Sequence, residues 1–244
     1  MLLLSAAVAG CKSAGGTQAS YQPFVSLDRP ELPPRTQARA KDTEKRRDDG
    51  ELELDKADIL PRKDWADGAP VLERLDPMGK ITRMTIHHEG MEIEDDGSVA
   101  AVKEQLRKIQ ASHKERMHAG DIGYHFMIDV NGRVWEGRPL KYQGAHSRGE
   151  GNKGNIGIML MGNFEVQRPT HSQLASMRRL VDLLMARYDV PVSRVYTHRE
   201  IYAMYAYGET DCPGRYLQAE VDRMRKAIAS AKKAGVPDNA VARP

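Results

Sequence analysis

The chain has 244 residues, of which 40% are hydrophobic and 29% are charged, a composition typical of a globular protein. Its formal net charge of +3 is small, and no run of Lys or Arg is interleaved with aromatic residues, so nucleic acid is not expected as a partner. The two cysteines, Cys11 and Cys212, lie in segments of very different character, which argues against a disulfide between them. The length suits one sizeable domain with terminal tails.

The first ten residues form a short apolar run that ends in small residues before Cys11. The run is too short to cross a bilayer, and its length is typical of a signal peptide. Val-Ala-Gly-Cys at 8–11 resembles a lipobox, although no Lys or Arg precedes the run; a buried N-terminal strand with an unmodified cysteine is the alternative. We predict a lipoprotein signal peptide over 1–11, lipidation at Cys11, and a lipid anchor in the bacterial cell envelope. Lys12, directly after the cysteine, favours the outer membrane on the periplasmic side.

Residues 12–57 are predicted to form a disordered tether. They are rich in Gly, Pro and charged residues of both signs, with a mixed run at 41–50, and offer little apolar surface to bury. The folded domain is predicted over 58–233, beginning near Ile59, and a flexible tail over 234–244.

Strand and helix patterns alternate within the predicted domain. Strands are predicted over 81–87, 156–161 and 195–197, a hairpin over 122–136 around Asn131-Gly132, and helices over 99–117, 174–188 and 216–232. The six residues 156–161 are apolar apart from Gly157, which predicts a central strand buried on both faces. Thr170 and Gln173 have the spacing of a capping box. The predicted fold class is α/β, a single domain with a central mixed β-sheet flanked by helices.

Three potential metal ligands lie at or near the ends of predicted elements. His87 ends the strand 81–87, His198 follows the strand 195–197, and Cys212 precedes Pro-Gly. Two histidines and one cysteine would leave the fourth tetrahedral position of Zn²⁺ to water, as a catalytic zinc requires. The alternative is a pair of core histidines and an inert thiol. We predict that His87, His198 and Cys212 bind zinc, while His88 points to the opposite face of its strand and is structural.

Seven motifs occur in the order in which they occur in zinc-dependent N-acetylmuramoyl-L-alanine amidases. They are Ile86-His87-His88, Gly123 to Ile128, Trp135 to Arg138, Gly144-Ala145-His146, Ile156-Gly157-Ile158, His198-Arg199-Glu200 and Asp211 to Gly214. The chain resembles the amidase type that includes the phage T7 lysozyme and the peptidoglycan recognition proteins, over about residues 59–232. The resemblance implies hydrolysis of the amide between the lactyl group of N-acetylmuramic acid and L-alanine of the stem peptide.

The resemblance also implies roles for individual residues. The family's zinc ligands fall on His87, His198 and Cys212, its catalytic tyrosine on Tyr124, and its polar residue two positions before the ligand cysteine on Thr210. A tyrosine hydroxyl can orient water or donate to the oxyanion that forms during attack, and a threonine hydroxyl can also donate. His146 matches a substrate-contacting histidine of the family; a plain loop histidine is the alternative.

One departure from the family is the wide spacing of His198 and Cys212. The extra segment, 201–209, contains three tyrosines and is predicted to form a loop beside the site that either stacks on substrate or caps the fold. Among the other histidines, we expect His125 to pack in the core and His113, His118 and His171 to lie at the surface. Glu136 and Arg138 are expected either to contact substrate or to form a structural ion pair.

These features predict a lipid-anchored zinc amidase that acts, as a monomer, on peptidoglycan and muropeptides in cell-wall turnover or remodelling. The main alternative is a non-catalytic peptidoglycan receptor or scaffold. Many family receptors lack the ligand cysteine, so the presence of Cys212 favours the enzyme. A zinc peptidase or another amide hydrolase on the same ligands is a third possibility, distinguished by the bond that is cut.

Overall fold

The computed structural model describes residues 59–93 and 97–234. The signal peptide over 1–11, the lipidation site Cys11, the tether over 12–57 and nearly all of the tail over 234–244 lie outside the described residues and stay predictions. Within the described ranges, no helix is long and apolar enough to span a bilayer.

Six β-strands and four α-helices are found in the described part of the chain. The strands are β1 (Ile59–Leu60), β2 (Arg83–His88), β3 (Phe126–Ile128), β4 (Val134–Glu136), β5 (Asn155–Leu160) and β6 (Val195–Thr197). The helices are α1 (Val99–Arg116), α2 (His171–Tyr188), α3 (His198–Met204) and α4 (Arg215–Lys233), with short 3₁₀ turns at Arg62–Asp64, Leu72–Arg74, Gly149–Asn152 and Val192–Arg194. The predicted α/β class is confirmed.

The strands form one mixed sheet in the order β1-β4-β3-β5-β2-β6. Strand β2 is parallel to both of its neighbours, β5 and β6, and β5 is also parallel to β3. The antiparallel pair is the hairpin β3–β4, whose turn contains Asn131-Gly132 as predicted. Parallel strands end at the same edge of a sheet, so the ends of β2 and β6 are adjacent.

Helices cover both faces of the sheet. On one face, residues of β2 and β5 share a buried cluster with α2 and α4; on the other, Met127, Trp135 and Met159 pack with Val102 and Leu106 of α1. All six residues of β5 are buried, which confirms the predicted central strand. Because side chains alternate along a strand and Ile86 belongs to the α2–α4 cluster, His87 faces the opposite side.

The capping box at the start of α2 is also confirmed. The Thr170 hydroxyl accepts from the Gln173 amide at 3.1 Å, and the Gln173 side chain accepts from the Thr170 amide at 3.0 Å. A cap of this kind stabilises a helix by about 1 kcal/mol. The Gln173 side-chain nitrogen donates to the Met161 carbonyl at 2.8 Å, which fixes α2 against the end of β5.

The prediction that residues 201–209 form a loop was wrong for the first four of them, because residues His198–Met204 form the helix α3. The Glu200 carboxylate accepts from the Thr197 amide at 2.7 Å and thereby satisfies a donor at the helix start. Arg225 of α4 also donates to both oxygens of Glu200, each at 2.8 Å. With Ile201 buried beneath it, α3 is held to the domain at its first turn.

Candidate metal and active site

The three predicted metal ligands lie together at the edge of the sheet where β2 and β6 end. Ile86 is in register with Thr197, so the next residues of the two strands, His87 and His198, are neighbours, with ring centroids 4.5 Å apart. Cys212 reaches the pair from the loop before α4, and its Sγ lies 3.6 Å from Nδ1 of His87. One possible ligand atom from each of the three residues lies within 4.8 Å of the others.

The donor atoms fit a zinc ion on three counts. Bonds of about 2.0–2.1 Å to nitrogen and about 2.3 Å to sulfur at a tetrahedral angle would separate N and S by about 3.6 Å, the distance between His87 Nδ1 and Cys212 Sγ. Nε2 of His198 is buried and has no hydrogen-bond partner among the described residues, so its lone pair is available to a metal ion. The backbone amide of His88 donates to Cys212 Sγ at 3.4 Å, which favours a thiolate.

Burial sets the protonation of the ligand residues. It lowers the pKa of His87 well below its usual 6.5 and that of His198 to about 4, so both rings are neutral near pH 7. It also raises the pKa of the Cys212 thiol to about 12. The histidines are therefore ready to bind a metal, whereas Cys212 must lose its proton on binding.

Tyr124 lies beside the first ligand, with its ring centroid 5.2 Å from that of His87. Burial raises the pKa of its hydroxyl, which stays protonated and can donate a hydrogen bond. The expectation that His113 lies at the surface was wrong: its Nδ1 accepts from the Gly123 amide at 2.7 Å, and its ring packs 5.6 Å from that of Tyr124. His113 follows the buried Leu106 and Gln110 on one face of α1, a spacing that could have revealed it.

The loop that carries Thr210 and Cys212 is held by hydrogen bonds to Arg199. The Thr210 hydroxyl accepts from the Cys212 amide at 3.2 Å, which leaves its own hydrogen available for donation. The Arg199 amide donates to the Cys212 carbonyl at 3.1 Å, and the Arg199 guanidinium donates to the carbonyls of Thr210 and Asp211 at 3.3 and 3.1 Å. Arg199 therefore connects the start of α3 to the ligand loop.

His146 lies in the interior of the site and is 7% exposed. Its Nδ1 is 3.0 Å from Nε2 of His87, and its Nε2 is 3.1 Å from the carbonyl oxygen of Asn155. Burial lowers the pKa of His146 well below 6.5, so the ring is neutral near pH 7. The substrate contact predicted for this residue stays a prediction.

The tyrosines of the extra segment form a stack that leads from His198 to the glycine-rich loop. Tyr202 packs edge-on against His198 at 4.4 Å and against Tyr207 at 5.8 Å, and Tyr207 stacks on Tyr205 at 5.4 Å. Arg83 donates to the Tyr205 hydroxyl at 2.8 Å and to the carbonyls of Glu150 and Lys153. The segment is thus packed against the fold.

Two further predictions concern residues that proved to be structural. Arg138 is buried and donates to the carbonyls of Asp121, Ile122 and Gln143 at 2.7–2.9 Å, rather than to Glu136. Glu136 instead accepts from the Arg62 amide at 3.0 Å. Arg138 therefore connects the segment before Tyr124 to the segment before His146.

The other histidines behave as predicted. His88 accepts from the Phe164 amide at Nδ1, and the buried His125 accepts from the Gly157 amide and donates to the Tyr142 carbonyl. His118 and His171 are exposed.

The half-buried His113 and the buried His125, which are outside the ligand set, predict a loss of stability in acid. Burial lowers the pKa of His113 and of His125 to about 4, whereas an unfolded chain titrates near 6.5. As the pH falls, the unfolded state therefore binds protons before the folded state does. The free energy of unfolding that is present above pH 6.5 falls with the pH, and the loss from each histidine is complete below about pH 4. Each histidine should contribute a loss of roughly 3 kcal/mol at full titration. Urea unfolding of the metal-free protein at pH 7, 5.5 and 4 measures this; an unfolding free energy that stays constant over the range would contradict it.

Comparison with known proteins agrees with the α/β fold and identifies the family. Residues 77–215 match the family model described as N-acetylmuramoyl-L-alanine amidase (Amidase_2). Since this match covers more than half of the chain, the protein belongs to the N-acetylmuramoyl-L-alanine amidase family.

Individual relatives include peptidoglycan recognition proteins and an enzyme. Peptidoglycan-recognition protein SC2 of Drosophila melanogaster is 29% identical over 164 residues, 67% of this chain and 84% of that protein. The human N-acetylmuramoyl-L-alanine amidase is 29% identical over 165 residues, 65% of this chain and 27% of that protein. Among solved structures, a mutant of Drosophila PGRP-LB in complex with tracheal cytotoxin matches with a TM-score of 0.58 and 26% identity, over 67% of this chain and 92% of that one.

Proposed function

We propose that this protein is a zinc-dependent N-acetylmuramoyl-L-alanine amidase, which hydrolyses the amide between N-acetylmuramic acid and L-alanine of the peptidoglycan stem peptide. The observation that carries the proposal is the convergence of His87, His198 and Cys212, with a buried, unpartnered Nε2 on His198. Family membership supports the reaction class, and the human amidase supports it among the relatives. Peptidoglycan as the ligand class is supported by the recognition proteins among the relatives and by the PGRP-LB complex with tracheal cytotoxin.

His87, His198 and Cys212 would hold the zinc ion. When bound, zinc polarises a carbonyl and lowers the pKa of water toward about 7. The two neutral imidazoles bind without losing a proton, and the Cys212 thiolate accepts the hydrogen bond from the His88 amide. With Cys212 as a thiolate this ligand set would carry a single negative charge, so a bound zinc ion would keep net positive charge.

Tyr124 and Thr210 supply the hydrogen-bond donors. Attack on the amide carbon creates negative charge on the carbonyl oxygen, which fixed donors stabilise far better than they stabilise the neutral substrate. The Tyr124 hydroxyl remains protonated because burial raises its pKa. The Thr210 oxygen already accepts from the Cys212 amide, so its hydrogen can point to the substrate.

The zinc-loaded protein incubated with purified muropeptides tests the proposal, with products identified by mass spectrometry. We expect glycan without peptide and free stem peptide that begins with L-alanine, the two together containing one additional water. The Cys212→Ser variant and the chelator-treated wild type are the controls and should give neither product. Muropeptides that are bound but uncut would favour a recognition protein, and cleavage within the stem would indicate a peptidase.

A further inference from the structure

The hydrogen bonds of His146 determine which nitrogen of His87 carries a proton. Nε2 of His146 lies 3.1 Å from the Asn155 carbonyl oxygen, and a carbonyl can only accept, so this nitrogen carries the hydrogen. In a neutral imidazole the other nitrogen then accepts. Nδ1 of His146 faces Ser147 Oγ at 2.8 Å and Nε2 of His87 at 3.0 Å. Because Nδ1 carries no hydrogen, a proton on His87 Nε2 gives an attractive contact, whereas two facing lone pairs would repel, and we assign the proton to His87. The lone pair of His87 is therefore on Nδ1, the atom 3.6 Å from Cys212 Sγ.

We propose that His146 is a positioning residue for the metal centre, which holds His87 in the tautomer and the ring orientation that direct Nδ1 to zinc. The proposal rests on the proposed function only in taking zinc as the ion. A metal-bound histidine commonly donates its other N–H to a fixed acceptor, and here that acceptor is a second imidazole, itself anchored on a strand carbonyl.

The surroundings of His146 allow its ring a single orientation. Gly144 and Gly157 lie against the ring, and a Cβ at these positions would come within 2.2 and 2.4 Å of its Cδ2 atom. The His146 amide donates to the Asn152 side chain at 3.0 Å, and Ser147 Oγ lies 2.8 Å from Nδ1. A ring in close contact with two glycine backbones and with a neighbour at each nitrogen is a rigid acceptor.

The anchor at Asn155 is fixed as well. Asn155 is fully buried at the start of β5, and its side-chain nitrogen donates to the Gly151 carbonyl at 2.6 Å and to the Thr85 hydroxyl at 2.8 Å. We call the series of contacts from the Asn155 carbonyl through His146 to His87 the relay. Asn155 lies on β5 and His87 on β2, so the relay begins and ends on neighbouring parallel strands. A change in the position of His146 would therefore be transmitted to His87 rather than absorbed by a mobile loop.

The proposed role differs measurably from a substrate contact. Both ring nitrogens of His146 already have partners inside the protein, so a substrate that used either nitrogen would have to break the relay. Removing a positioning residue should weaken zinc binding, whereas removing a substrate contact should raise KM at an unchanged zinc affinity.

The experiment compares zinc affinity, measured on the full chain by competition with a chromophoric chelator, in four variants. His146→Leu removes the acceptor and should weaken zinc binding about 10- to 100-fold. His146→Asn places an oxygen near the Nδ1 position and should recover most of that loss. Gly157→Ala keeps the histidine but displaces its ring, and should also weaken binding. The matched control, His171→Leu at an exposed histidine, should bind zinc as the wild type does.

Nitrogen-15 NMR of the imidazole side chains reports the tautomer of His87 directly. The zinc-loaded wild type should show a protonated Nε2 on His87, coupled to an unprotonated Nδ1 on His146. Unchanged zinc affinity in a folded His146→Leu variant would overturn the positioning role while leaving the amidase proposal intact. A wild type that binds no zinc would overturn both, and a protonated Nδ1 on metal-free His87 would overturn the relay alone.

Discussion

Replacing His198 by Ala is expected to abolish stoichiometric zinc binding and to lower kcat/KM for muropeptide hydrolysis by about 10³-fold or more, because a catalytic metal contributes several kcal/mol to stabilisation of the transition state. His198 is informative because its Nε2 has no protein partner among the described residues. Its removal therefore breaks no hydrogen bond at that atom, and the loss can be assigned to the metal.

Thermal unfolding with and without zinc provides the second measurement for this variant. A ligand that binds only the native state raises Tm, so zinc should raise the Tm of the wild type and leave that of His198→Ala unchanged. His171→Ala, at an exposed histidine, is the matched control and should respond as the wild type does. A His198→Ala protein that retains one equivalent of zinc and full activity would remove His198 from the ligand set.

Replacing Tyr124 by Phe is expected to lower kcat by about 10²–10³-fold while zinc is retained, as loss of one oxyanion donor does in hydrolases. Phenylalanine keeps the ring contacts with His87 and His113, so the site should not collapse. Only the hydroxyl is lost, and burial keeps that hydroxyl protonated by raising its pKa.

Steady-state kinetics on a defined muropeptide separates the possible outcomes for Tyr124. A fall in kcat with KM and zinc content unchanged would assign the hydroxyl to the transition state. Tyr188→Phe, at the end of α2, is the matched control and should be neutral. Full activity in Tyr124→Phe would exclude this hydroxyl from the chemistry and leave Thr210 as the donor.

Local patterns in the sequence predicted most elements of the fold. The Asn131-Gly132 turn, the Thr170–Gln173 capping box and the apolar segment 156–161 each act over a few residues, and all three were confirmed. The helix α3 was missed because its tyrosines suggested an exposed loop. The pairing of Thr197 with Glu200 three residues later was the available signal for that helix.

The site was predicted less completely, because contacts between residues that are distant in the sequence produce no recognisable sequence pattern. His87, His198 and Cys212 could be named from their residue types and from the family motifs, and they do lie together. The partners of Arg138 and His146 are backbone carbonyls and a second imidazole contributed by distant segments. No periodicity or motif encodes such partners, so only the folded arrangement distinguishes a substrate-binding histidine from one that orients a ligand.

The hydrogen bonds of Arg199 join the two ends of the long segment between His198 and Cys212. Once the ends are joined, added residues cost little, since doubling the length of a flexible loop costs only about 0.6 kcal/mol in closure entropy. Exposed residues of this segment, such as Met204 and Glu209, can therefore change without moving either ligand, whereas the buried Ile201 and the Tyr202 ring against His198 are held by the fold. In this architecture the surface next to the site can diversify while the three candidate ligands stay in place.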